Sequence, residues 1–458
     1  MANNNDEKSA ELIAAITDKE WDLVRQALSG MHPADIADII ENTPEKERAG
    51  LFEQLDDETQ ADVLTELDDS IEEELLDVLS PDEISALVEE MAPDDAADML
   101  GELDAQRSET VLNLLDEEDS QEVRELLAYE EDTAGGIMTT DFVALSGDRT
   151  AGEALNYIGA LELDEPLHST YVIDEDKRLL GYVQIWKMLK NANRRKTLRE
   201  LAETDIFSVH TDTDQEEAAR IMSKYDLTSM PVLDATGRMV GRITIDDIVD
   251  VIEEEASEDI FKLAGSSDDE LEYSSPLAAS RARLPWLLVT LATGLITSMI
   301  LKAFMHSITS LEIIALSFFV PIVMAMGGNT GIQSSTLIVR GLAVGSFSGR
   351  KLYRVFIREI ATGAMMGLIC GVAIGLWAHF IIGQSTSYHP AYLALSVGLA
   401  LLGAMVFAAS FGSFVPLLLN RLGFDPAIAA GPFVTASNDI TALLIYYGII
   451  MLMMAAIM

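Results

Sequence analysis

From Leu284 to its end the chain is a series of long apolar runs separated by short breaks. The pattern predicts five helices, at 284–305, 313–339, 355–382, 391–419 and 427–457. Each is long enough to cross a hydrocarbon layer of ~30 Å at ~1.5 Å per residue. The first third is patterned differently. Positions 31, 43, 55, 67, 79, 91, 103, 115 and 127, a period of 12, read Met, Thr, Leu, Leu, Leu, Met, Leu, Leu and Leu. Helix-starting clusters follow, such as His32-Pro33-Ala34-Asp35 and Ser80-Pro81-Asp82-Glu83, in which Asp, Ser and Pro supply N-caps and first turns. Such a period holds one helix of about eight residues and a turn, so the region is expected to be an all-α superhelical stack, a small solenoid with a docking or binding surface.

At Tyr129 the texture changes to short β-rich runs, and a second repeat appears with a period of 60. Tyr171-Val-Ile-Asp through Gly181-Tyr-Val matches Pro231-Val-Leu-Asp through Gly241-Arg-Ile, each reading as strand, Asp-rich turn, strand and helix. Helices are predicted upstream of each copy, at 151–161 and 215–225. This pattern resembles a tandem cystathionine-β-synthase (CBS) pair, a non-catalytic module that binds adenine nucleotides or ions. In many such pairs a Thr and an Asp after the last strand hold a ribose. The second copy has them as Thr244 and Asp247, whereas the first reads Gly181-Tyr-Val-Gln-Ile-Trp-Lys187 and lacks both. A purely structural module is the alternative.

Asp246–Ile260 then reads as a helix with an apolar stripe of Ile248, Val249 and Ile252 and carboxylates crowding the rest. Like charges four apart destabilise a helix without counter-ions. Its position before the linker Gly265–Ser275 and the first apolar run makes it a natural coupler between the two halves.

Charge sharpens this division. Of 30 basic and 76 acidic residues, 9 and 4 fall after residue 280, leaving 21 and 72 before it, a net charge of −51. A field of that sign repels nucleic acid and attracts cations; a generally acidic, solvated surface is the other reading. Arg281 and Arg283, then Arg340, Arg350, Lys351, Arg354 and Arg358, then Arg421 fall on alternate turns of the apolar half. The opposite loops, near His306–Glu312 and Gly383–His389, carry no Lys or Arg, and Lys302 alone lies near that side. The positive-inside rule therefore puts the acidic half in the cytoplasm and the C-terminus outside, in a multi-pass protein of the cell (inner) membrane. The start, MANNNDEKSAEL, has neither a basic region nor an apolar run, so no cleaved signal is expected there. Cys370, the single cysteine, excludes an intrachain disulfide.

Candidate chemistry centres on Asn438–Asp439. In a helix starting at Ala427, Asp439 falls roughly 18 Å along, about mid-depth, with no Lys or Arg on the same segment. An intramembrane acid points to a cation path, or to a protonated acid used in helix packing. The second predicted span carries Pro321 and Met326-Gly327-Gly328-Asn329-Thr330-Gly331-Ile332-Gln333. There exposed carbonyls and the Asn329 amide suit an aqueous path, or the glycines serve close helix packing. Asp94 and Asp98 share a helix face, solvated or bridged by a cation.

Together, Pro321, Gly327-Gly328-Asn329, Gly331, Gln333, Asp425-Pro426, Gly431-Pro432 and Asn438-Asp439-Ile440-Thr441 are similar to the MgtE family of magnesium channels. The match covers essentially the whole chain in domain order: a helical N-domain at 1–130, the CBS pair at 131–252 (about 137–200 and 201–252), a connecting helix and linker at 253–280, and a five-helix transmembrane domain at 281–458. The resemblance implies a homodimer in the lipid bilayer, with a Mg²⁺ pore on the two-fold axis and Asp439 from both chains holding hydrated Mg²⁺. Gly327, Gly328, Asn329 and Asn438 would line it. It also implies regulatory carboxylates at Asp62, Asp94, Asp98, Asp214, Glu216, Asp226, Asp247, Asp250, Glu255, Glu258 and Asp259. Asp425 matches the membrane-side partner of the connecting helix. Divalent cations are the ligands implied, with ATP as a regulator.

Gating then follows from charge: acidic faces repel at low cytosolic Mg²⁺ and are bridged at high Mg²⁺, shutting the pore. Two other classes compete. A transporter exchanging a divalent cation for Na⁺ or H⁺ requires a second ionisable residue near mid-depth, and Glu312 and Glu359 fall near the ends of predicted spans. An enzyme requires a nucleophile–base set, a phosphate-binding loop or a His/Cys metal cluster, and the sequence contains no such motif.

Overall fold

Helices begin at Pro33, Glu45, Asp57, Asp69, Pro81, Pro93, Ala105 and Glu117, every twelve residues as the repeat requires. After α1 (Trp21–Leu28) they are α2 (Pro33–Glu41), α3 (Glu45–Phe52), α4 (Asp57–Leu64), α5 (Asp69–Val78), α6 (Pro81–Val88), α7 (Pro93–Glu102), α8 (Ala105–Leu112) and α9 (Glu117–Leu126). Asp56, Asp104 and Asp116 cap their helices through backbone amides, and Ser80 forms a capping box with Glu83. Alternate helices pack together, α2 on α4, α4 on α6, α6 on α8, α3 on α5 and α7 on α9, giving two rows. The deepest core positions also recur every twelve: Leu51, Val63, Leu75, Leu87, Met99, Val111 and Val123 are all buried. The repeat position seen in the sequence is mixed: Thr43, Leu67 and Leu115 are buried, whereas Met31, Leu55, Leu79, Met91, Leu103 and Leu127 pack against that core from its edge.

The computed structural model describes residues 12, 15–161, 167–190, 194–267, 275–307, 315–344, 350–382, 390–429 and 431–455. Residues 1–11 of the N-terminal stretch, most of the predicted linker (268–274) and the loop residues 308–314, with Glu312, and 383–389 lie outside the described residues. The chain divides into two units, Met1–Ile252 and Glu253–Met458.

The two CBS copies are built alike. In the first, β1 (Ala144–Ser146) runs parallel to β2 (Ser169–Ile173), which pairs antiparallel with β3 (Leu179–Gln184). In the second, β4 (Val209–His210), β5 (Ser229–Leu233) and β6 (Met239–Thr244) repeat this. Ser169 faces Gln184 and Ser229 faces Thr244, and the registers slip at Val172/Ile173 and at Val232/Leu233, sixty residues apart. Helices α10 (Ala151–Ile158), α11 (Ile185–Leu189), α12 (Leu198–Leu201) and α13 (Gln215–Tyr225) complete the pair. The first copy has its own core around Val172, Val183 and Met188. The second shares one continuous core with the helical stack, through Met222, Val232, Ile243 and Ile248.

The connecting helix α14 runs unbroken over Ile245–Ala264, starting inside the predicted CBS segment. Its buried residues are Ile248 and Val251, while Val249 and Ile252 of the expected stripe are exposed. The stripe is therefore narrower than the sequence suggested.

The apolar half folds as α15 (Pro276–Ser307), α16 (Val320–Ala343), α17 (Arg350–Trp377), α18 (Pro390–Leu422) and α19 (Pro432–Ala455). Among the described residues four stretches are long and apolar enough to cross a membrane: Pro276–Met305, Leu352–Phe380, Pro390–Leu422 and Pro432–Met453. Helix α16 has the length but carries the polar Gly-Gly-Asn-Thr-Gly run at its centre. Helices α17 and α18 interlock through small residues. A Cβ at Gly371 would stand 2.6 Å from the carbonyl oxygen of Gly398, and one at Gly398 2.7 Å from that of Gly371.

A candidate ion path and the carboxylates around it

The last helix starts at Pro432, not at Ala427. Asp425 caps a short 3₁₀ turn, Ala427–Ala429, accepting from the Ala427 amide at 2.7 Å, and a proline opens the helix five residues beyond Ala427. This corrects the depth of Asp439, which lies seven residues in, roughly 10 Å from the start of α19 rather than 18 Å. It also puts Gly431-Pro432 at the helix boundary. Asp439 is half-buried.

Its neighbour Asn438 is 1% exposed and aimed at α16, where a Cβ at Gly331 would overlap the amide nitrogen. Neither polar atom of that amide has a hydrogen-bond partner. Gly331 also meets α18, since a Cβ at Gly412 would overlap the Gly331 carbonyl. Three helices thus converge one residue from Asp439.

Helix α16 has two faces. Gly327, Gly328, Thr330, Gly331, Ser334 and Ser335 are buried within the chain. A Cβ at Gly327 would lie 3.4 Å from Ala442, and one at Gly328 3.7 Å from Thr435. These two glycines, expected to line the path, are buried facing α19 in this chain, where a Cβ would make ordinary van der Waals contact. Asn329, Gln333 and Thr336, at i, i+4 and i+7, form a polar stripe on the open face.

Sequence spacing placed Glu359 near a helix end, and the structure corrects this. Glu359 lies nine residues into α17, roughly 13 Å, and is 6% exposed. Its Oε2 accepts from Ser334 Oγ at 3.2 Å, and Arg358 Nη2 lies 3.5 Å from its Oε1.

In the N-terminal unit Asp94 is 8% exposed, and its Oδ1 has no hydrogen-bond partner. Burial first, then the charges of Asp247 and Asp95, push its carboxyl up to about 7. Asp98, one turn on and more open to water, is also raised to about 7 by desolvation and by Asp94, Glu131, Asp247 and Glu102. The structure therefore brings Asp94, Asp98 and Asp247 of the expected set into one field. Asp62 is exposed. Asp214 caps α13 by accepting from the Glu216 amide at 3.0 Å, and Asp226 ends the same eleven-residue helix in a left-handed conformation (φ 52°). These two stand about 18 Å apart along that helix, too far to share an ion. Thr244 donates to Asp247, from its backbone amide at 3.1 Å and from its hydroxyl.

Sequence reasoning missed Glu72. Burial pushes its carboxyl to about 8, helped by Glu102, Asp69, Asp98 and Asp95. A signal existed: because alternate helices are neighbours, residues 26–30 apart meet, as Arg48 and Glu74 or Arg107 and Asp77 do. Asp69 and Asp95, Glu72 and Asp98, and Glu72 and Glu102 have that spacing.

Along α14, Asp250 near the start is exposed and Glu255 at the middle is half-buried. Glu258 and Asp425 both bind Lys262, the latter at 2.8 Å. Burial and the Asp425 charge raise the half-buried Asp259, while Lys262 and Arg340 oppose the rise. Among the described residues no three His, Cys, Asp or Glu side chains converge tightly enough to hold a bare ion. The crowded carboxylates and the orphan Asp94 oxygen fit a cation that keeps its waters, as Mg²⁺ does.

Comparison with known proteins agrees with this layout. Residues 320–449 match a family described as divalent cation transporters, 31–132 the MgtE intracellular N domain, and 134–193 and 198–254 the CBS domain. The chain is 39% identical over 333 residues to a magnesium transporter of Thermus thermophilus, covering 72% of each chain. To that of Bacillus subtilis it is 35% identical, covering 70% of this chain and 69% of the relative. A solved cytosolic domain of a Mg²⁺ channel in complex with ATP is 34% identical with a TM-score of 0.50, covering 53% of this chain and 99% of that one.

Proposed function

Because the chain belongs to the MgtE family of magnesium transporters, a family of transporters and not of enzymes, we propose that two copies form a Mg²⁺ pore closed by Mg²⁺ acting on their acidic domains. The observation that carries the paired pore is the open polar stripe of Asn329, Gln333 and Thr336 at the middle of α16. Polar groups at membrane depth are costly against lipid and are accommodated against protein or water. A second copy meeting this stripe supplies both, with α16 as the fifth span. In this reading the acidic, superhelical N-domain is cytoplasmic, the C-terminus lies outside, and the protein resides in the cell membrane.

Hydrated Mg²⁺ is held by one or two carboxylates with its waters retained. A pair of Asp439 side chains beside the Asn329 amides suits that cargo. Near-complete closure needs ~5.5 kcal/mol of differential binding, so several carboxylate groups act together. Asp94, Asp98, Asp247, Asp250 and the Glu72 cluster provide them. ATP binding at the second CBS copy requires the Thr244–Asp247 hydrogen bond to open toward the ribose.

Flux into proteoliposomes tests this directly, comparing wild type with Asp439→Ala while cytoplasmic Mg²⁺ is varied. Flux that needs Asp439 and falls as Mg²⁺ rises supports both pore and sensor. Flux indifferent to Asp439 moves the path elsewhere.

The depth of Glu359 gives the exchange reading one observation of its own, because that reading requires a second buried acid. Mg²⁺ flux driven by an imposed Na⁺ or H⁺ gradient, and lost in Glu359→Gln, would favour it.

A further inference from the structure

The seam between α16 and α19 is built differently at its two ends. Far from Pro432, Tyr446 and Tyr447 are buried and both hydroxyls are engaged. Tyr446 donates to the Leu316 carbonyl at 2.7 Å, and the Tyr447 hydroxyl lies 3.0 Å from Ser317 Oγ. Leu316 and Ser317 belong to the 3₁₀ turn Ala315–Phe319, which leads into α16. Phe304 of α15 stacks on the Tyr447 ring with centroids 4.8 Å apart. Hydrogen bonds and a ring stack therefore tie α15, the turn and α19 together at this end.

Nearer Pro432 the seam is packed but not bonded. Ala442 faces Gly327, and one turn earlier on α19 Asn438 occupies the space that a Cβ at Gly331 would take. Both polar atoms of the Asn438 amide lack a partner although the residue is 1% exposed. Ser335, one turn beyond Gly331 on the same face of α16, is fully buried and its hydroxyl also lacks a partner. An amide has donors and acceptors to satisfy, and burying them unpaired opposes the packing that buries them. This end of the seam is therefore biased toward parting, whereas the tyrosine end is bound.

We propose that Tyr446 and Tyr447 form a fixed pivot and that Asn438 is a positioning residue, packed on Gly331 when the seam is shut and wetted by the ion path when it parts. The inference rests on the gating reading above and deepens it by naming the seam that moves. Asn438 lines the path in the parted state alone. It stands eight residues from Tyr446, a lever of roughly 12 Å that carries the adjoining Asp439 with it. The contact of Gly412 with Gly331 is the seat against which α19 moves, and it stays closed in both positions. Ions bound at the acidic domains supply the free energy that buries the amide.

The test is labelling of Asn438→Cys in proteoliposomes by a water-soluble thiol reagent, with the native cysteine removed as Cys370→Ala. We expect labelling about tenfold faster at low than at high cytoplasmic Mg²⁺. Asn438→Leu keeps the shape and removes the polar atoms, so the half-blocking Mg²⁺ concentration should fall about five- to tenfold and the melting temperature rise. A lower melting temperature would mean packing alone, and reduced flux with unmoved block would mean conduction alone; either overturns the role of Asn438. Should these variants fail to reach the membrane, Ser335→Ala removes the other unpaired group and should shift block the same way. Tyr446→Phe with Tyr447→Phe frees the pivot and should leave block incomplete at saturating Mg²⁺; complete block there overturns the pivot. Labelling indifferent to Mg²⁺ while wild-type flux is blocked overturns the moving seam and leaves the gating reading standing. Absence of Mg²⁺ block in wild type overturns both.

Discussion

Ser334 on α16 donates to Glu359 on α17 across 3.2 Å, and both residues are buried within the apolar half. The bond ties the helix carrying the polar stripe to a neighbour outside it. Glu359→Ala should leave the Ser334 hydroxyl without this acceptor and lower stability by ~1–3 kcal/mol, read as a drop in the melting temperature of the detergent-solubilised protein. Glu359→Gln keeps an acceptor oxygen and should melt close to wild type. Equal losses in the two variants would mean that the bond contributes little.

The raised carboxyls of Asp94, Asp98 and Glu72 make the N-terminal unit sensitive to pH. The folded protein holds their protons more tightly than the unfolded chain, so their contribution is fully present below the ordinary carboxylate range. It is lost as pH rises through about 7 to about 8. We expect the unit to melt at a higher temperature at pH 5.5 than at pH 8.5. Added Mg²⁺ should raise the melting temperature at pH 8.5 and do so much less at pH 5.5, where protons already neutralise the cluster. A Mg²⁺ shift that is the same at both pH values would separate the cluster from cation binding.

Removing Asp247 and Asp250 together takes two carboxylates from the start of α14 and leaves the membrane helices untouched. Asp247→Ala with Asp250→Ala should conduct at the wild-type rate at low Mg²⁺ and need about tenfold more Mg²⁺ for block. Normal block in this double variant would place the sensor elsewhere.

Glycine positions in the membrane half should respond very differently to the same substitution. Gly412→Ala drives a methyl into the Gly331 carbonyl and should cost ~1–3 kcal/mol, with flux reduced because the Asn438 junction opens. At Gly294 a Cβ meets nothing within 4 Å, and Gly294→Ala should be neutral or stabilise by up to ~1 kcal/mol through helix propensity. Thermal melting with flux on the same samples separates the two cases.

What could be read in advance follows from the range over which each signal acts. Capping residues and apolar positions a few residues apart set where α2 to α9 begin, so the twelve-residue stack was legible, as was the sixty-residue CBS duplication. The depth of Asp439 was misread because an apolar stretch from Ala427 looks continuous until the Asp425 cap and Pro432 are seen to divide it. Glu359 looked peripheral because α17 starts at Arg350, five residues before the predicted span. The Lys262–Asp425 pair joins residues 163 apart, and no local pattern announces it. Glu72 lay between these cases: its partners were spaced by a rule that only the two-row packing makes visible.

That packing gives the N-domain a parity. Helices two repeats apart rest on one another, α2 on α4 on α6 on α8 along one row, so helices of odd and even rank belong to different sides of the stack. Excising one twelve-residue repeat would transfer every later helix to the wrong side and turn Glu72, Asp98 and their neighbours away from each other. Excising two would return each survivor to its own side. Evolution can therefore lengthen or shorten this domain in steps of twenty-four residues, while a step of twelve scrambles the surface that carries its charge.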